Sequence, residues 1–244
     1  MIPISIAKTI NLKLGKLLKH FGYTICRNHY YPQQSFDPIS LGASLVRSTN
    51  QGCDNLRIIQ VGAFDGLLSD PLSDLLTKSY VTAFLLEPQP GPYRKLEERY
   101  TGNKRIKLVN SALSAKTGND CMFTLDSSNG SAIASLASSH ISNFGISKST
   151  LKNINVATIS ASDLFVLTGW NGLDILQVDT EGFDWQVIKF FFDIQVFPLV
   201  INFERIHLSS SEVLESRDIL SANDYSWIDL EYDCLAYKTS LLRL

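Results

Sequence analysis

Cysteine is scarce in this chain of 244 residues: Cys26, Cys53, Cys121 and Cys234 are the four, and no two form a CxxC pair. That excludes a zinc ribbon and a thioredoxin-like redox motif, and it is too sparse for a disulfide scaffold. The four read as reduced, mostly buried thiols, as expected in the cytoplasm. The histidines, His20, His29, His140 and His207, fall in no HExxH frame, so a conventional zinc site has no support. No run of about 18 apolar residues occurs, which argues against a spanning helix. A basic excess is also missing: the net charge is −2, unlike that of a protein that coats nucleic acid. With 45% hydrophobic residues, most of the chain is not disordered, and its length suffices to bury a full core.

Acidic residues are absent from one segment. Residues 1–36 contain no Asp or Glu but carry Lys8, Lys13, Lys16, Lys19 and Arg27, a charge of +5 that leaves −7 for the rest. Lysines interrupt its apolar positions and no small-residue cleavage site follows, so it does not read as a signal peptide. Ile6, Ile10, Leu14, Leu17, Leu18 and Phe21 recur near helical spacing and predict a basic amphipathic helix. Such a helix packs on its own domain or on a second subunit, or docks on a membrane surface or a partner. Pro32 and Pro38 follow, with a short helix expected over 39–48. A turn at 52–55 sets the expected division: an N-terminal extension, 1–50, and a second domain, 51–244.

From residue 57 the pattern changes. Residues 57–61 (RIIQV), 82–87 (TAFLLE), 106–110 (IKLVN), 173–179 (LDILQVD) and 199–204 (LVINFE) are short, nearly continuous apolar runs. That is the pattern of parallel strands buried on both faces. Helical patterns lie over 67–78, 91–100, 160–168, 184–192 and 210–222, so the order β-α-β-α-β predicts a doubly wound α/β sheet. Residues 225–230 and 234–238 read as a terminal antiparallel hairpin. Residues 127–150 hold nine serines and read as a polar surface excursion of the length often used as a lid or binding loop.

Chemistry concentrates where these runs end. Val61, Gly62, Ala63, Phe64, Asp65 and Gly66 follow the first strand, where open α/β sheets bind ligands and a glycine lets the backbone approach closely. The spacing is GxxxG, not the GxGxxG of dinucleotide sites, and an ordinary tight turn would look the same. Glu87 ends the second strand 21 residues after Gly66, where a carboxylate can accept from both hydroxyls of a ribose. Pro88 and Pro90 then start the next helix. Without the loop, Glu87 would pass for a surface carboxylate; together they point to a nucleoside.

The fourth run ends with Gln177, Val178, Asp179, Thr180, Glu181 and Gly182. Alternation places Asp179 and Glu181 on one side. They could position a donor, act as a general base or hold a divalent ion; otherwise Asp184 caps the next helix and Glu181 is merely solvated. Glu204 and His207 open onto the same crevice after the fifth run. His207 alone among the histidines follows a core strand, which makes it the general-base candidate, although a lone histidine is more often structural.

The ordered set IIQVGAFDG, DPL at 70–72, FLLEPQP, LVNSALS, LDILQVDTEGFDWQVI, VINFERIHLS and YDCLAY spans about residues 57–238. It resembles the FkbM-type methyltransferases, a family of S-adenosylmethionine-dependent O-methyltransferases. The resemblance implies a class I methyltransferase fold: a Rossmann-like, seven-stranded, mostly parallel sheet with helices on both faces. The C-terminal antiparallel hairpin belongs to that sheet and is usually lacking in dinucleotide-binding ones. It implies S-adenosylmethionine as cofactor, with the glycine loop (Gln60, Gly62, Ala63, Asp65, Gly66) cradling the methionine part and Asp70, Pro88 and Asp179 also binding the cofactor. Glu87 falls at the ribose, and Asn110, Ser111 and Ala112 at the adenine. Gln60 departs from the acidic residue many methyltransferases carry two positions before the first glycine, which leaves Asp65 and Asp179 as the candidates for the charge facing the cofactor's ammonium.

The reaction implied is methyl transfer to a hydroxyl of a sugar, glycan or other small molecule. Asp179, Glu204 and His207 are the expected catalytic residues, and His207 or Asp179 takes the proton. A divalent ion on Asp179, Glu181 and Glu204 is a lesser alternative. Three rivals remain. An NAD-dependent oxidoreductase shares the loop and Glu87 but lacks GxGxxG. A nucleic-acid methyltransferase is disfavoured by an acidic crevice, which repels phosphates. A non-catalytic cofactor-binding protein of a biosynthetic complex stays open.

Overall fold

A computed structural model describes residues 37–49, 55–67, 70–125, 130–131, 134–136 and 151–242. The N-terminal amphipathic helix expected over residues 1–21, and most of the serine-rich stretch, lie outside the described residues. Among the described residues, no helix is long and apolar enough to cross a membrane.

Seven strands form one sheet: β1 (Leu56–Val61), β2 (Val81–Leu86), β3 (Ile106–Val109), β8 (Ile175–Val178), β9 (Val200–Glu204), β10 (Tyr225–Asp229) and β11 (Asp233–Lys238). Their order is β10-β11-β9-β8-β1-β2-β3. All run parallel except β11, which is antiparallel to both neighbours. The expected seven-stranded sheet with its terminal hairpin is therefore present. The chain winds outward from β1 to β3 and then returns to the other side of β1 as β8. This reversal opens a crevice between the carboxyl ends of β1 and β8, the place where such sheets bind ligands.

The nearly continuous apolar runs form these strands because both faces are covered. On one face Ile59, Val61, Leu176, Val178, Ile201 and Phe203 pack against α3 (Ala161–Thr168), α4 (Asp184–Asp193) and α5 (Ser210–Ala222), through Leu164, Trp185, Ile188, Phe191 and Leu220. On the other, Val200 meets Gly42 of α1 (Pro38–Thr49). At the far end of the crevice strands, Arg57 ties β1 to the start of β8: its guanidinium donates to both oxygens of the buried Asp174, at 2.9 and 3.0 Å.

Three expectations differ from what is observed. Helix α1 buries Ile39, Leu41, Leu45 and Val46, so residues from Asp37 onward belong to the compact unit of the sheet, and the boundary at residue 50 is too late. The helix expected over 67–78 is absent among the described residues: turns over 71–74 lead into a short 3-10 helix, Leu75–Thr77. Leu72, Leu75 and Leu76 supplied the helical period and are all buried, but Asp70 and Pro71 fix a turn first; the Asp70 carboxylate accepts from Leu72 N at 2.9 Å.

The third difference is a second sheet, of order β4-β7-β5-β6. It consists of β4 (Ala112–Ser114), β5 (Gly118–Thr124), β6 (Ala134–Ser135) and β7 (Lys152–Ser160). Helix α2 (Pro90–Tyr100) follows β2, with Pro at its start.

Candidate active site

The crevice holds a cavity of about 280 Å³, close to the lower end of the ~300–1,000 Å³ usual for ligand sites. Its lining comes from four places. The first strand and its loop give Val61, Gly62 and Phe64; the end of β2 gives Glu87, Pro88 and Gln89; the turn after β8 gives Asp179, Thr180, Glu181 and Phe183. The remaining wall is Ser111 with Ala112, Leu113, Met122, Ala134 and Leu136, supplied mainly by the second sheet.

Glu87 is 3% exposed, and each of its oxygens is anchored by a backbone amide. Phe64 N donates to Oε2 at 2.9 Å and Gln89 N to Oε1 at 2.8 Å. Phe64 pays for this aim with a left-handed backbone, φ 46°, unusual for a bulky residue. Burial pushes the Glu87 carboxyl up to about 7, despite those two amides, and the Asp179 charge adds to the rise.

Gly62 joins β1 to β8 at the floor. Its φ is +85°, and a Cβ there would stand 1.8 Å from the carbonyl oxygen of Asp179. The close approach the sequence suggested is thus to the neighbouring strand end. Gly62→Ala is expected to cost about 3 kcal/mol, from backbone strain plus that clash, which at this chain length lowers Tm by roughly 6–12 °C. Thermal melting checks it; an unchanged Tm contradicts the role.

Beyond the floor stand four carboxylates and one imidazole. Asp184 is fully buried and closes the turn, accepting from Gly182 N and Thr180 Oγ1, both at 3.1 Å. Glu181, at φ 55°, is far from merely solvated: its side chain is 18% exposed, with Oε2 3.9 Å from His207 Nε2. Glu204 Oε2 lies 3.5 Å from the same nitrogen. Burial is the main cause that raises Asp179 to about 6, Glu181 to about 8 and Glu204 to about 9, and neighbouring carboxylates add to each.

The cavity thus joins a buried carboxylate at the end of β2, an apolar slot beside it and a carboxylate at the switch point. The model of the methyltransferase FkbM domain matches residues 60–227. The chain belongs to the FkbM methyltransferase family.

Among solved structures the chain is similar to methyltransferase FkbM from Methylobacillus flagellatus KT, at 15% identity and TM-score 0.47, covering 75% of this chain and 44% of that one. It is also similar to the METTL16 methyltransferase domain, at 10% identity and TM-score 0.48, covering 98% and 82%. A human methyltransferase 10 domain containing protein is matched at 11% identity and TM-score 0.42, over 95% and 97%. The chain spans less than half the length of the solved Methylobacillus protein. No curated protein matches it.

In this FkbM-family chain, the residues named from sequence divide in two. Gly62, Glu87, Pro88, Ser111, Ala112 and Asp179 line the cavity. Gln60, Ala63, Asp65, Gly66 and Asp70 do not; they build the loop behind it. Gln60 is 2% exposed and its Nε2 donates to Asp70 at 3.0 Å. Asp65 accepts from Leu67 N and pairs with Lys95 at 3.6 Å. Gly66 packs against Leu96, and Asn110 donates from Nδ2 to the Glu87 carbonyl at 2.8 Å. Of Asp65 and Asp179, Asp179 is the one that lines the cavity, together with Glu181.

The catalytic candidates divide too: Asp179 lines the cavity, whereas Glu204 and His207 stand beside it, next to Glu181. Sequence reasoning missed the wall of Leu113, Met122, Ala134 and Leu136, and also Gln89. The Gln89 side chain clasps Ser131, accepting from its N and donating to its O, each at 2.9 Å. The alternation of Ile154, Val156 and Thr158 in β7 was the available signal for the second sheet.

The lining suits S-adenosylmethionine. Glu87 keeps lone pairs for hydroxyl donors, and Phe64, Leu113, Met122 and Leu136 offer an apolar face. Hydroxyls donate more strongly to an ionised carboxylate than to a neutral carboxyl, so S-adenosylhomocysteine affinity is expected to be higher above about pH 7 than below it. The sign for folding is opposite: ionisation of a raised carboxyl costs stability as pH climbs from about 4.5 to about 7. Calorimetry with S-adenosylhomocysteine at pH 8 and pH 6 tests this; equal affinities contradict it.

Proposed function

We propose that this chain transfers the methyl group of S-adenosylmethionine to a hydroxyl of a sugar, glycan or other small molecule. The observation that carries the reading is one cavity lined by both Glu87 and Asp179, at the switch point of the sheet. The cofactor supplies a methyl group activated on a sulfonium. Glu87 holds the ribose, and the second sheet and Phe64 enclose the base. Asp179, at the boundary between the cavity and the Glu181, Glu204 and His207 side, receives the proton that leaves the acceptor hydroxyl. His207 does not line the cavity, which makes it a binder of the acceptor instead of the base. Displacement at a methyl is in line, so alignment of acceptor and donor supplies much of the rate.

The acceptor side is rich in oxygens that accept hydrogen bonds, which favours hydroxyl donors and disfavours the phosphates of nucleic acid. Cys121 and Cys234 are free thiols, which suits action in the reducing cytoplasm. The test is incubation with labelled S-adenosylmethionine and a panel of sugars and polyols. A labelled product stable to mild alkali, as a methyl ether is, supports the reading; label released by alkali marks a methyl ester and overturns hydroxyl transfer.

A further inference from the structure

The carboxyl ends of β8 and β9 bring together three groups from different points of the chain. Glu181, Glu204 and His207 each offer one atom, and the three atoms lie within 4.8 Å of one another. His207 Nε2 is 3.5 Å from Glu204 Oε2 and 3.9 Å from Glu181 Oε2, and the three side chains are between 12% and 19% exposed. Ligand atoms in neighbouring positions around a small divalent ion, at about 2.1 Å from it, stand about 3.0 Å apart. The imidazole is therefore within about an ångström of ligand spacing from both carboxylates.

A second observation lies on the sheet face that carries Glu204. Gln60, Gln177 and Asn202 stand in register across β1, β8 and β9, a buried amide row on the face that also carries Asp179 and Glu204. Asn202 is 1% exposed and donates from Nδ2 to Gln177 Oε1 at 3.0 Å, while its Oδ1 has no partner. Glu204 Oε2 is likewise buried without a hydrogen bond. Both are oxygen acceptors. A buried acceptor left without a donor costs roughly 1–3 kcal/mol, and what this face lacks is positive charge or donors. Asp179, Asp184 and Asp233 add like charge near Glu204 as well, and among the described residues Glu181 and Glu204 form ion pairs with His207.

We propose that Glu181, Glu204 and His207 bind a divalent cation of the Mn²⁺ class, with its remaining positions open to the acceptor's oxygen. Two carboxylates and one imidazole form a mixed oxygen and nitrogen donor set suited to such an ion. This set differs from the Asp179, Glu181 and Glu204 trio considered from sequence: Asp179 stays free to take the proton. The cation's role in orienting the acceptor rests on the methyl-transfer reading; its binding does not.

The test is therefore made on the full chain without cofactor or acceptor. Mn²⁺ is titrated and followed by electron paramagnetic resonance of the free ion. One site with a Kd below about 100 μM is expected, and His207→Ala and Glu204→Gln should each weaken it at least tenfold with unchanged circular dichroism. Should Glu204→Gln fail to fold, Glu181→Gln replaces it. Wild-type binding weaker than about 100 μM, or equal binding by the variants, overturns the proposal. S-adenosylhomocysteine calorimetry on the same sample separates the two readings. A chain that binds S-adenosylhomocysteine but not Mn²⁺ rejects the cation alone; one that binds Mn²⁺ but not S-adenosylhomocysteine rejects the methyl-transfer reading alone.

Discussion

Asp179→Asn is expected to lower kcat by about 10²- to 10⁴-fold, the range removed with a positioned acid or base. The substitution preserves shape, and the Asp179 backbone still accepts the approach of Gly62. Its N–H still donates to the Val61 carbonyl at 3.0 Å, so the strand ends remain joined. Folding and the cavity should survive, and S-adenosylhomocysteine affinity should change much less than turnover. Single-turnover methyl transfer with saturating cofactor measures the chemical step. A variant that turns over within threefold of the parent would remove Asp179 as the proton's destination.

Glu87→Ala is expected to weaken S-adenosylhomocysteine binding on the order of a hundredfold, about 2.7 kcal/mol. Two causes act together. The ribose loses hydrogen bonds to a charged acceptor, each contributing roughly 1.5–3 kcal/mol. The amides of Phe64 and Gln89 also lose their shared acceptor, which loosens the loop on one side of the cavity and the start of α2 on the other. Glu87→Gln separates the causes: its amide group offers a donor where one backbone N–H also donates, so it should fall between alanine and the parent. Unchanged affinity in either variant would sink the ribose assignment.

Much of the main sheet was legible because β1, β2, β8 and β9 are buried on both faces and so written in unbroken apolar letters. The same burial placed Gly62, Glu87 and Asp179 at strand ends. The second sheet was not legible for the opposite reason: β5 exposes Gly118, Asn119, Asp120 and Cys121 in succession, and β4 has three residues. Their stability comes from pairing across the chain, as in the register of Gly118 with Thr158, which no local pattern announces. The apolar wall of the cavity was lost with them. Gln60 and Asp70 carried the right chemistry at the right spacing, yet they hydrogen-bond each other behind the loop. The approach of His207 to Glu181 depends on how two turns fold after neighbouring strands, a distance that spacing alone does not give.

The central claim is that the cavity between β1 and β8 takes S-adenosylmethionine. Calorimetry of the full chain with S-adenosylhomocysteine and with NAD, at pH 8, tests it most directly without knowledge of the acceptor. Binding of S-adenosylhomocysteine with a Kd in the micromolar range and no heat from NAD is the expected result. Binding of NAD with none of S-adenosylhomocysteine would contradict it.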